Sequence, residues 1–507
     1  MPVTGTDPPT STAPATPEST IDRFTPLSLL RSVVYSEGPL KPGLTGPLRR
    51  TVGSVETIRE LLLPAATGGR RGRAVEAALR DAIRTGRLAV GTRLPSSRDL
   101  ARQLGVARGT VTALYEQLTA EGYLLSKHGS GTRVAPIDGT APKTQVSAAK
   151  TPAWEFDLRP GLPALSAFPR AEWLAAEREA LNATPDLGLG YPDPTGHPAL
   201  RAELAAYLGR VRALPTNPDD IVITSGAAEA LSLLADALPD QRIAVEDPSH
   251  HGQANLLRDH GLVPVGIPVD DKGINVDALS TSDCSVVLVT AAHQFPLGVA
   301  LHPERRRRLL SWAAETGGLV LEDDYDAEHR YDRPALGAMR ALAPEHVAYI
   351  GSVSKVLAPA LRIGWLIPPR RLRDAVARVK EMHDLGCPPL PQAALAHLIA
   401  TGGYDRHLRR TRRLYRARRD TLIEALTQRL PQWQPVGIAA GLHLVVRLPD
   451  GADDVRLQEK LAAASVHAPA LSTYSHSSAG YPGLVLGYAA LPPDRLRAAV
   501  ERIASAG

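Results

Sequence analysis

Apolar residues recur with a helical period in one part of the chain and form short uninterrupted runs in another. Over residues 73–86 apolar side chains return every three or four positions, which predicts an amphipathic helix that ends at a glycine. A second helix is predicted over 96–105, because the Ser96 hydroxyl can cap its first turn and Asp99 places a carboxylate near its positive end. A third helical segment begins at about residue 106.

The second and third of these helices are joined by a tight turn at Gly105, and the pair predicts a helix-turn-helix. The third helix carries Arg108, Thr110 and Thr112 near its start, where proteins with this motif place their contacts to the DNA major groove. The alternative is a small helical subdomain with solvated arginines that never meets DNA.

An alternating segment over 123–134, interrupted by a Gly-Ser-Gly turn, predicts a β-hairpin. It would form a wing beside the helix-turn-helix. Lys127, His128 and Arg133 surround its tip, where they are suited to contact phosphates or the minor groove.

A change of pattern separates this region from the rest of the chain. After Val134 a segment rich in Pro, Ala and Thr predicts a linker. Beyond it, short apolar runs alternate with helix-length amphipathic segments, which is typical of an α/β domain with a largely parallel sheet. The apolar runs cover residues 220–226, 242–248, 285–292, 317–324 and 346–352.

Composition narrows the class of protein. A chain of 507 residues is expected to hold more than one domain. Its two cysteines, Cys284 and Cys387, lie far apart in sequence, which argues against a disulfide framework and a zinc site. We find no apolar run of about 18 residues and no secretion signal, so we expect a cytoplasmic protein without a membrane partner. The net charge of +5 is compatible with a nucleic-acid partner.

Polar residues follow several of the apolar runs, at the sheet edge where ligands gather. The segment 225–227 precedes a helix and offers a hydroxyl and free N–H groups at its positive end, which suits a phosphate. Asp323 and Tyr325 point the same way on an extended chain, whereas Asp324 points the opposite way. One acid and one phenol can therefore face a single ligand.

Lys355 follows another of these runs, in the stretch GSVSKVLAPALRIGWL. It can be a surface lysine on a loop. A buried lysine close to another cation has a lowered pKa and can form a Schiff base, and Arg362 lies seven residues further on. A phosphate seat, an acid, a phenol and an amine together match the requirements of pyridoxal 5'-phosphate.

Two known families resemble this chain. The segment 84–134 is similar over its whole length to the winged-helix domain of GntR-type repressors. From about Phe156 to the C-terminus the chain resembles fold-type I aminotransferases of the aspartate aminotransferase class. The combination resembles the MocR subfamily of bacterial regulators, closest in expectation to the regulators of vitamin B6 synthesis.

The resemblance implies an α/β protein with an N-terminal winged helix-turn-helix and a C-terminal PLP-dependent fold-type I aminotransferase-like domain. That domain should contain a mainly parallel sheet with flanking helices and a small C-terminal α/β subdomain. The expected segments are a largely disordered extension over 1–57, the DNA-binding domain over 58–136, a linker over 137–152 and the aminotransferase-like domain over 153–507.

The resemblance also implies roles for particular residues. Contacts to an operator in double-stranded DNA are implied for Arg98, Arg108, Thr110, His128 and Gly129. Lys355 would form the Schiff base with pyridoxal 5'-phosphate. The other implied cofactor contacts are Ser225, Gly226, Ala227, Ser352 and Arg362 around the phosphate, Tyr325 at the ring oxygen, His250 against the ring, and Tyr191 from the partner subunit of a head-to-tail, domain-swapped homodimer. For the pyridine nitrogen the alternation argument favours Asp323, with Asp324 as the second choice.

Departures from the aminotransferase pattern bear on activity. Catalytic relatives have an Asn-Pro-Thr-Gly turn whose asparagine touches the cofactor, whereas this chain has HQFPLG, in which His293 or Gln294 is the candidate replacement. Val485 stands where aminotransferases carry the arginine for the substrate α-carboxylate. Valine cannot bind a carboxylate, and no arginine lies between Ala479 and Pro493.

The sequence therefore favours a transcription regulator whose aminotransferase-like domain senses pyridoxal 5'-phosphate, or an aldimine made from it, as a small-molecule effector. It would rearrange a dimer and its DNA-binding heads, and control of vitamin B6 synthesis fits the absence of the carboxylate arginine. One alternative is an active PLP-dependent aminotransferase with a DNA-binding head. Another is a regulator that responds to an amino compound such as γ-aminobutyrate or taurine.

Overall fold

A computed structural model describes residues 71–127, 131–136, 154–238, 242–477 and 480–506. The chain divides into two compact units on either side of residue 150. The predicted extension over 1–57 and linker over 137–152 lie outside the described residues, as do His128 and Gly129. Among the described helices, none has both the length and the apolar character needed to cross a membrane.

In the part that the structure describes, the first unit contains three helices followed by a two-stranded antiparallel hairpin. Its elements are α1 (Arg71–Arg84), α2 (Ser97–Leu104), α3 (Arg108–Ala120), β1 (Leu124–Lys127) and β2 (Gly131–Val134). The predicted cap is confirmed, because the Ser96 side chain accepts a hydrogen bond from the Asp99 amide at 3.2 Å. Gly105 takes the left-handed conformation that the tight turn between α2 and α3 requires, with φ of 64°.

Apolar side chains from every element of this unit meet in one core. They include Leu79 from α1, Leu100 from α2, Leu118 from α3 and Val134 from the hairpin. This packing fixes the exposed start of α3 relative to the hairpin. The arrangement is a winged helix-turn-helix, as the sequence predicted.

The second unit is built on an eight-stranded sheet. Its strands are β4 (Val222–Thr224), β5 (Arg242–Asp247), β6 (Val263–Asp270), β7 (Gly273–Ile274), β8 (Val286–Val289), β9 (Leu319–Asp323), β10 (Val347–Ser352) and β11 (Gly364–Ile367). They lie in the order β4-β11-β10-β9-β8-β5-β6-β7. The strands from β10 to β6 are parallel, and β11, β4 and β7 are antiparallel to their neighbours.

Helices cover both faces of this sheet and bury its strands, which explains their nearly uninterrupted apolar sequences. The helices are α4 (Arg170–Ala183), α5 (Pro198–Arg212), α6 (Ala227–Ala237), α7 (His251–Asp259), α8 (Val276–Ser280), α9 (Pro303–Thr316), α10 (Arg373–Asp384), α11 (Pro389–Ala400) and α12 (Gly403–Arg429).

A smaller C-terminal subdomain packs against the second half of α12. It contains the antiparallel sheet β12 (Gln434–Val436), β13 (His443–Arg447) and β15 (Gly483–Gly487), the helices α13 (Asp454–Ala463) and α14 (Pro493–Ala506), and the short parallel pair β3 (Phe156–Asp157) and β14 (Val466–His467). Through β3, residues near the start of this unit join the subdomain formed by its end.

Candidate functional site

Polar groups predicted from separate strand ends line one cavity of about 650 Å³ at the carboxyl edge of the large sheet. The predicted residues on its wall are Ala227, His250, Asp323, Tyr325, Ser352, Lys355 and Arg362. Parallel strands end at the same edge, so residues far apart in sequence meet there.

Lys355 is half-buried in this cavity, and its Nζ donates a hydrogen bond to the Gly161 carbonyl at 2.8 Å. Burial lowers the pKa of Lys355, while the carboxylates of Asp326 and Asp323 oppose that shift. From the sequence, a lowered pKa of Lys355 is expected from burial beside another cation. In the structure burial is the cause, and a more readily deprotonated amine is the result.

Asp323 and Asp324 lie back to back, as the alternation argument requires. Asp324 Oδ2 accepts from Arg212 Nε at 2.7 Å and from the Tyr349 hydroxyl, in a buried cluster away from the cavity. Asp323 faces the cavity instead, where its Oδ2 accepts from Gln253 Nε2 at 2.6 Å. Asp324 is therefore held in a buried ion pair, whereas Asp323 is accessible to a ligand in the cavity.

The Oδ1 atom of Asp323 is buried and has no hydrogen-bond partner among the described residues. An unpaired buried carboxylate oxygen is costly, so this atom fits a ligand that donates an N–H. Burial raises the pKa of Asp323 to about 6, and the hydrogen bond from Gln253 opposes the rise. A protonated pyridine nitrogen is such a donor, so the unpaired oxygen of Asp323 fits the ring nitrogen of pyridoxal 5'-phosphate.

Affinity for that cofactor is expected to fall as the pH drops below about 6, because Asp323 then binds a proton and can no longer pair with a pyridinium nitrogen. The expected slope reaches about tenfold per pH unit well below the pKa. Equilibrium titrations from pH 5 to 8 with wild type and Asp323→Asn would measure it. The slope that remains in the variant belongs to the other titrating groups, chiefly the Lys355 amine and the cofactor's phosphate, and identical slopes would contradict the prediction.

Arg362, Ser352 and the start of α6 also line the cavity, where the sequence predicted a phosphate site. A Cβ added to Gly226 would lie 3.1 Å from Arg362 Nη2, so glycine leaves room for the guanidinium beside the positive end of the helix. Ser225 does not line the cavity: its amide binds Glu229, and its Oγ lies 3.5 Å from Cys387 Sγ. Gly226 also does not line the cavity, and it affects the cavity only by leaving room for Arg362.

Tyr325 lines the cavity, and its hydroxyl lies 3.1 Å from His293 Nδ1. His293 does not line the cavity, and its Nδ1 lies 2.8 Å from Asp326 Oδ2. Gln294 is held by the Pro248 and Phe295 carbonyls. Neither candidate replacement for the missing asparagine therefore reaches the cavity directly; Phe295 lines it instead.

His250 lines the cavity, with its ring centroid 5.7 Å from that of Phe295. Burial and the nearby Lys355 lower the pKa of His250, so the ring is neutral at pH 7. A neutral aromatic ring on the cavity wall can pack against a planar cofactor.

Tyr191 lies outside this cavity, with 89% of its surface exposed. It lines a second cleft between α4, α5 and α11, next to the exposed side chains of Leu187 and Leu189. Val485 is fully buried on β15 opposite Val445. Val485 is not among the residues that line the cavity.

The residues on the cavity wall that were not predicted from the sequence include Gln253, Arg159 and Gly161. Gln253 lies in the first turn of α7, shortly after the end of β5. A polar residue so close to the end of a parallel strand is the signal that could have identified it. Arg159 and Gly161 come from the other end of the domain, and no local pattern marks them.

The DNA-binding residues predicted on α2 and α3 are accessible in part. Arg98 and Arg108 are exposed, and Arg108 is the first residue of α3. Thr110 is half-buried, with its methyl 2.8 Å from where a Cβ on Gly72 of α1 would lie. Ala107 gives α3 no side-chain cap, so N–H groups at its start are available to a phosphate.

Comparison with protein families divides the chain into the same two parts as the structure. Residues 164–503 match the family Aminotransferase class I and II, and residues 71–134 match the family Bacterial regulatory proteins, gntR family. The aminotransferase class I and II family is PLP-dependent.

Similar proteins include both regulators and enzymes. The HTH-type pyridoxine biosynthesis transcriptional regulator PdxR of Corynebacterium glutamicum is 34% identical, over 84% of this chain and 94% of its own length. The probable rhizopine catabolism regulatory protein MocR of Rhizobium meliloti is also 34% identical, over 84% and 92%. The solved kynurenine aminotransferase of Pyrococcus horikoshii, in complex with PMP, is 27% identical with a TM-score of 0.65, over 70% of this chain and 91% of that one.

Proposed function

The chain belongs to the MocR-type transcription regulators, which join a GntR family DNA-binding domain to an aminotransferase class I and II domain, and from this membership we propose that it binds operator DNA and senses pyridoxal 5'-phosphate. The observation that carries the proposal is the meeting, in one cavity, of a half-buried amine at Lys355, an unpaired oxygen of Asp323 and the guanidinium of Arg362. These groups match the aldehyde, the ring nitrogen and the phosphate of one small molecule.

Each of these residues has a defined task in binding. When bound, the cofactor supplies an aldehyde that combines reversibly with a primary amine. Lys355 offers that amine, and its lowered pKa increases the fraction without a proton at neutral pH. Asp323 accepts from the ring nitrogen, Tyr325 donates to the ring oxygen, and Arg362 and Ser352 hold the phosphate.

A homodimer would complete the site. Tyr191 is exposed beside Leu187 and Leu189, on a surface separate from its own cavity. An exposed cluster of large apolar side chains favours an interface between subunits. In a head-to-tail dimer the hydroxyl of Tyr191 would reach the phosphate in the partner subunit.

Regulation is favoured over amino-acid transamination because Val485 is buried among apolar side chains, where aminotransferases need an arginine. Transamination depends on holding the substrate carboxylate so that the reacting bond is aligned with the cofactor. Resemblance to a pyridoxine biosynthesis regulator supports a role in controlling vitamin B6 synthesis.

The test measures binding of full-length protein to a DNA duplex selected from a random library, with and without pyridoxal 5'-phosphate. We expect the cofactor to change the affinity at least fivefold, the lower end of typical coupling between two sites. Arg108→Ala should weaken DNA binding by about 1–3 kcal/mol in both conditions, without changing cofactor affinity. Equal DNA affinity with and without bound cofactor would overturn the sensing role.

A further inference from the structure

A short segment before α2 extends the wing that β1 and β2 form in the first unit. The Leu94 amide donates a hydrogen bond to the Thr132 carbonyl at 2.9 Å. The Val134 amide donates to the Thr92 carbonyl, also at 2.9 Å. Residues 92–94 therefore run antiparallel to β2, on the side that β1 leaves open. In this way the segment that leads into the helix-turn-helix becomes part of the wing.

Two arginines face each other across this junction. Arg93 and Arg133 lie directly opposite, and the backbone hydrogen bonds on either side make them a pair of the kind whose side chains are closest. Both side chains are exposed. Like charges directly opposite on neighbouring strands destabilise a sheet. An anion bound beside the two arginines would remove this cost.

No carboxylate in the described part of the first unit neutralises this pair. The ion pairs there join Arg80, Arg87 and Arg102 to acidic side chains, and none of them includes Arg93 or Arg133. The guanidinium of Arg93 also makes no hydrogen bond to the described residues. Its five N–H donors are therefore available to an anion from outside the chain.

The two guanidinium groups point toward opposite ends of the wing. The tip end is where Lys127, the last residue of β1, pairs with Gly131, the first residue of β2. Arg133 turns away from that end, because its Nη1 donates to the Gly91 carbonyl at 3.1 Å. Arg93 turns toward it, since a Cβ on Gly131 would lie 3.2 Å from Arg93 Nε. The sequence predicted Arg133 near the tip, whereas in the structure Arg93 takes that place.

We infer that Arg93 binds a phosphate of the DNA backbone at the tip end of the wing. This inference rests on the proposed binding of operator DNA. The guanidinium lies alongside Gly131, on the face of the wing, where it suits a backbone that passes along the wing rather than the floor of a groove. A planar guanidinium can donate two parallel hydrogen bonds to a phosphate. Such a contact positions the duplex and carries no sequence information.

The test titrates full-length protein with two DNA duplexes, one selected from a random library and one of the same composition in scrambled order. Affinities are measured between about 0.05 and 0.2 M salt. We expect Arg93→Gln to weaken binding to both duplexes by the same factor, about tenfold, as for loss of a hydrogen bond to a charged group. The slope of log affinity against log salt should fall by about 1 for each head that contacts DNA.

Three further variants separate the contact from a general effect of charge. Arg93→Lys keeps the charge and should keep the wild-type slope, with affinity between those of wild type and Arg93→Gln. Arg133→Gln removes the same charge from the facing strand, and Arg87→Gln removes one that is paired with Asp81; both should keep the wild-type slope. The melting temperature of Arg93→Gln should not fall, because the variant lacks the like-charge pair.

Three results would overturn the inference. The first is a wild-type slope in Arg93→Gln, and the second is an equal fall of the slope in Arg133→Gln. The third is a loss of affinity confined to the selected duplex, which would mean that Arg93 contacts a base. Failure of the proposed function is a different result, because wild type itself would then bind neither duplex.

Discussion

Replacing Arg212 with methionine is expected to lower the free energy of unfolding by about 3–5 kcal/mol, the largest loss of stability we predict. Arg212 and Asp324 form an ion pair with only 1% of each side chain exposed. Arg212 Nε donates to Asp324 Oδ2 at 2.7 Å, and another nitrogen of the guanidinium donates to the Leu336 carbonyl. Without the arginine, the Asp324 carboxylate stays buried and keeps one side-chain donor among the described residues, Tyr349.

Urea unfolding of the variant, compared with wild type, gives the magnitude. The double variant Arg212→Met/Asp324→Leu should recover part of the loss, because replacing both charges removes the unpaired carboxylate. Arg497→Met, at an exposed position, should change stability by less than about 0.5 kcal/mol. A loss below 1 kcal/mol in Arg212→Met would show that the pair does not bear on folding.

Replacing Lys355 with alanine is expected to abolish both the imine absorption of the cofactor and the cofactor-dependent change in DNA affinity. The physical reason is that Lys355 supplies the cavity's amine, while Arg362, Ser352 and Asp323 can hold the cofactor only through noncovalent contacts. DNA affinity without cofactor should equal that of wild type. Absorption spectra and DNA titrations of the same preparations measure both effects.

Lys355→Arg provides the matched control, because it keeps a positive charge and a donor toward the Gly161 carbonyl but cannot form the imine. If both variants lose the DNA response, the covalent bond is the signal. Wild-type absorption in Lys355→Ala would show that another amine holds the cofactor, and the assignment of Lys355 would be wrong.

The sequence allowed much of the fold to be predicted, because winged-helix caps and buried parallel strands leave local patterns. The apolar runs at 242–248, 285–292, 317–324 and 346–352 became β5, β8, β9 and β10. Alternation along β9 also placed Asp323 and Asp324 on opposite sides. A two-residue period suffices for that inference, since side chains on a strand alternate between its faces.

Contacts between distant segments could not be predicted in this way. The hydrogen bond from Lys355 to Gly161 joins residues 194 positions apart, and no pattern near either residue indicates it. Gln294 is a position where a local match predicted a contact that the structure does not contain. Its place in the sequence matches a cofactor contact of aminotransferases, but its side chain donates to backbone carbonyls instead. The strand β6 was not predicted, because two prolines and a glycine interrupt its apolar sequence and four of its eight residues are exposed.

The hydrogen bond from Lys355 to Gly161 also links two parts of the second unit mechanically. Its donor lies in the loop after β10 of the large sheet, and its acceptor, at 2.8 Å, follows β3, which pairs with β14 of the C-terminal subdomain. A ligand that bonds covalently to Lys355 Nζ would remove this donor, and the C-terminal subdomain would then lose one of its ties to the loop after β10.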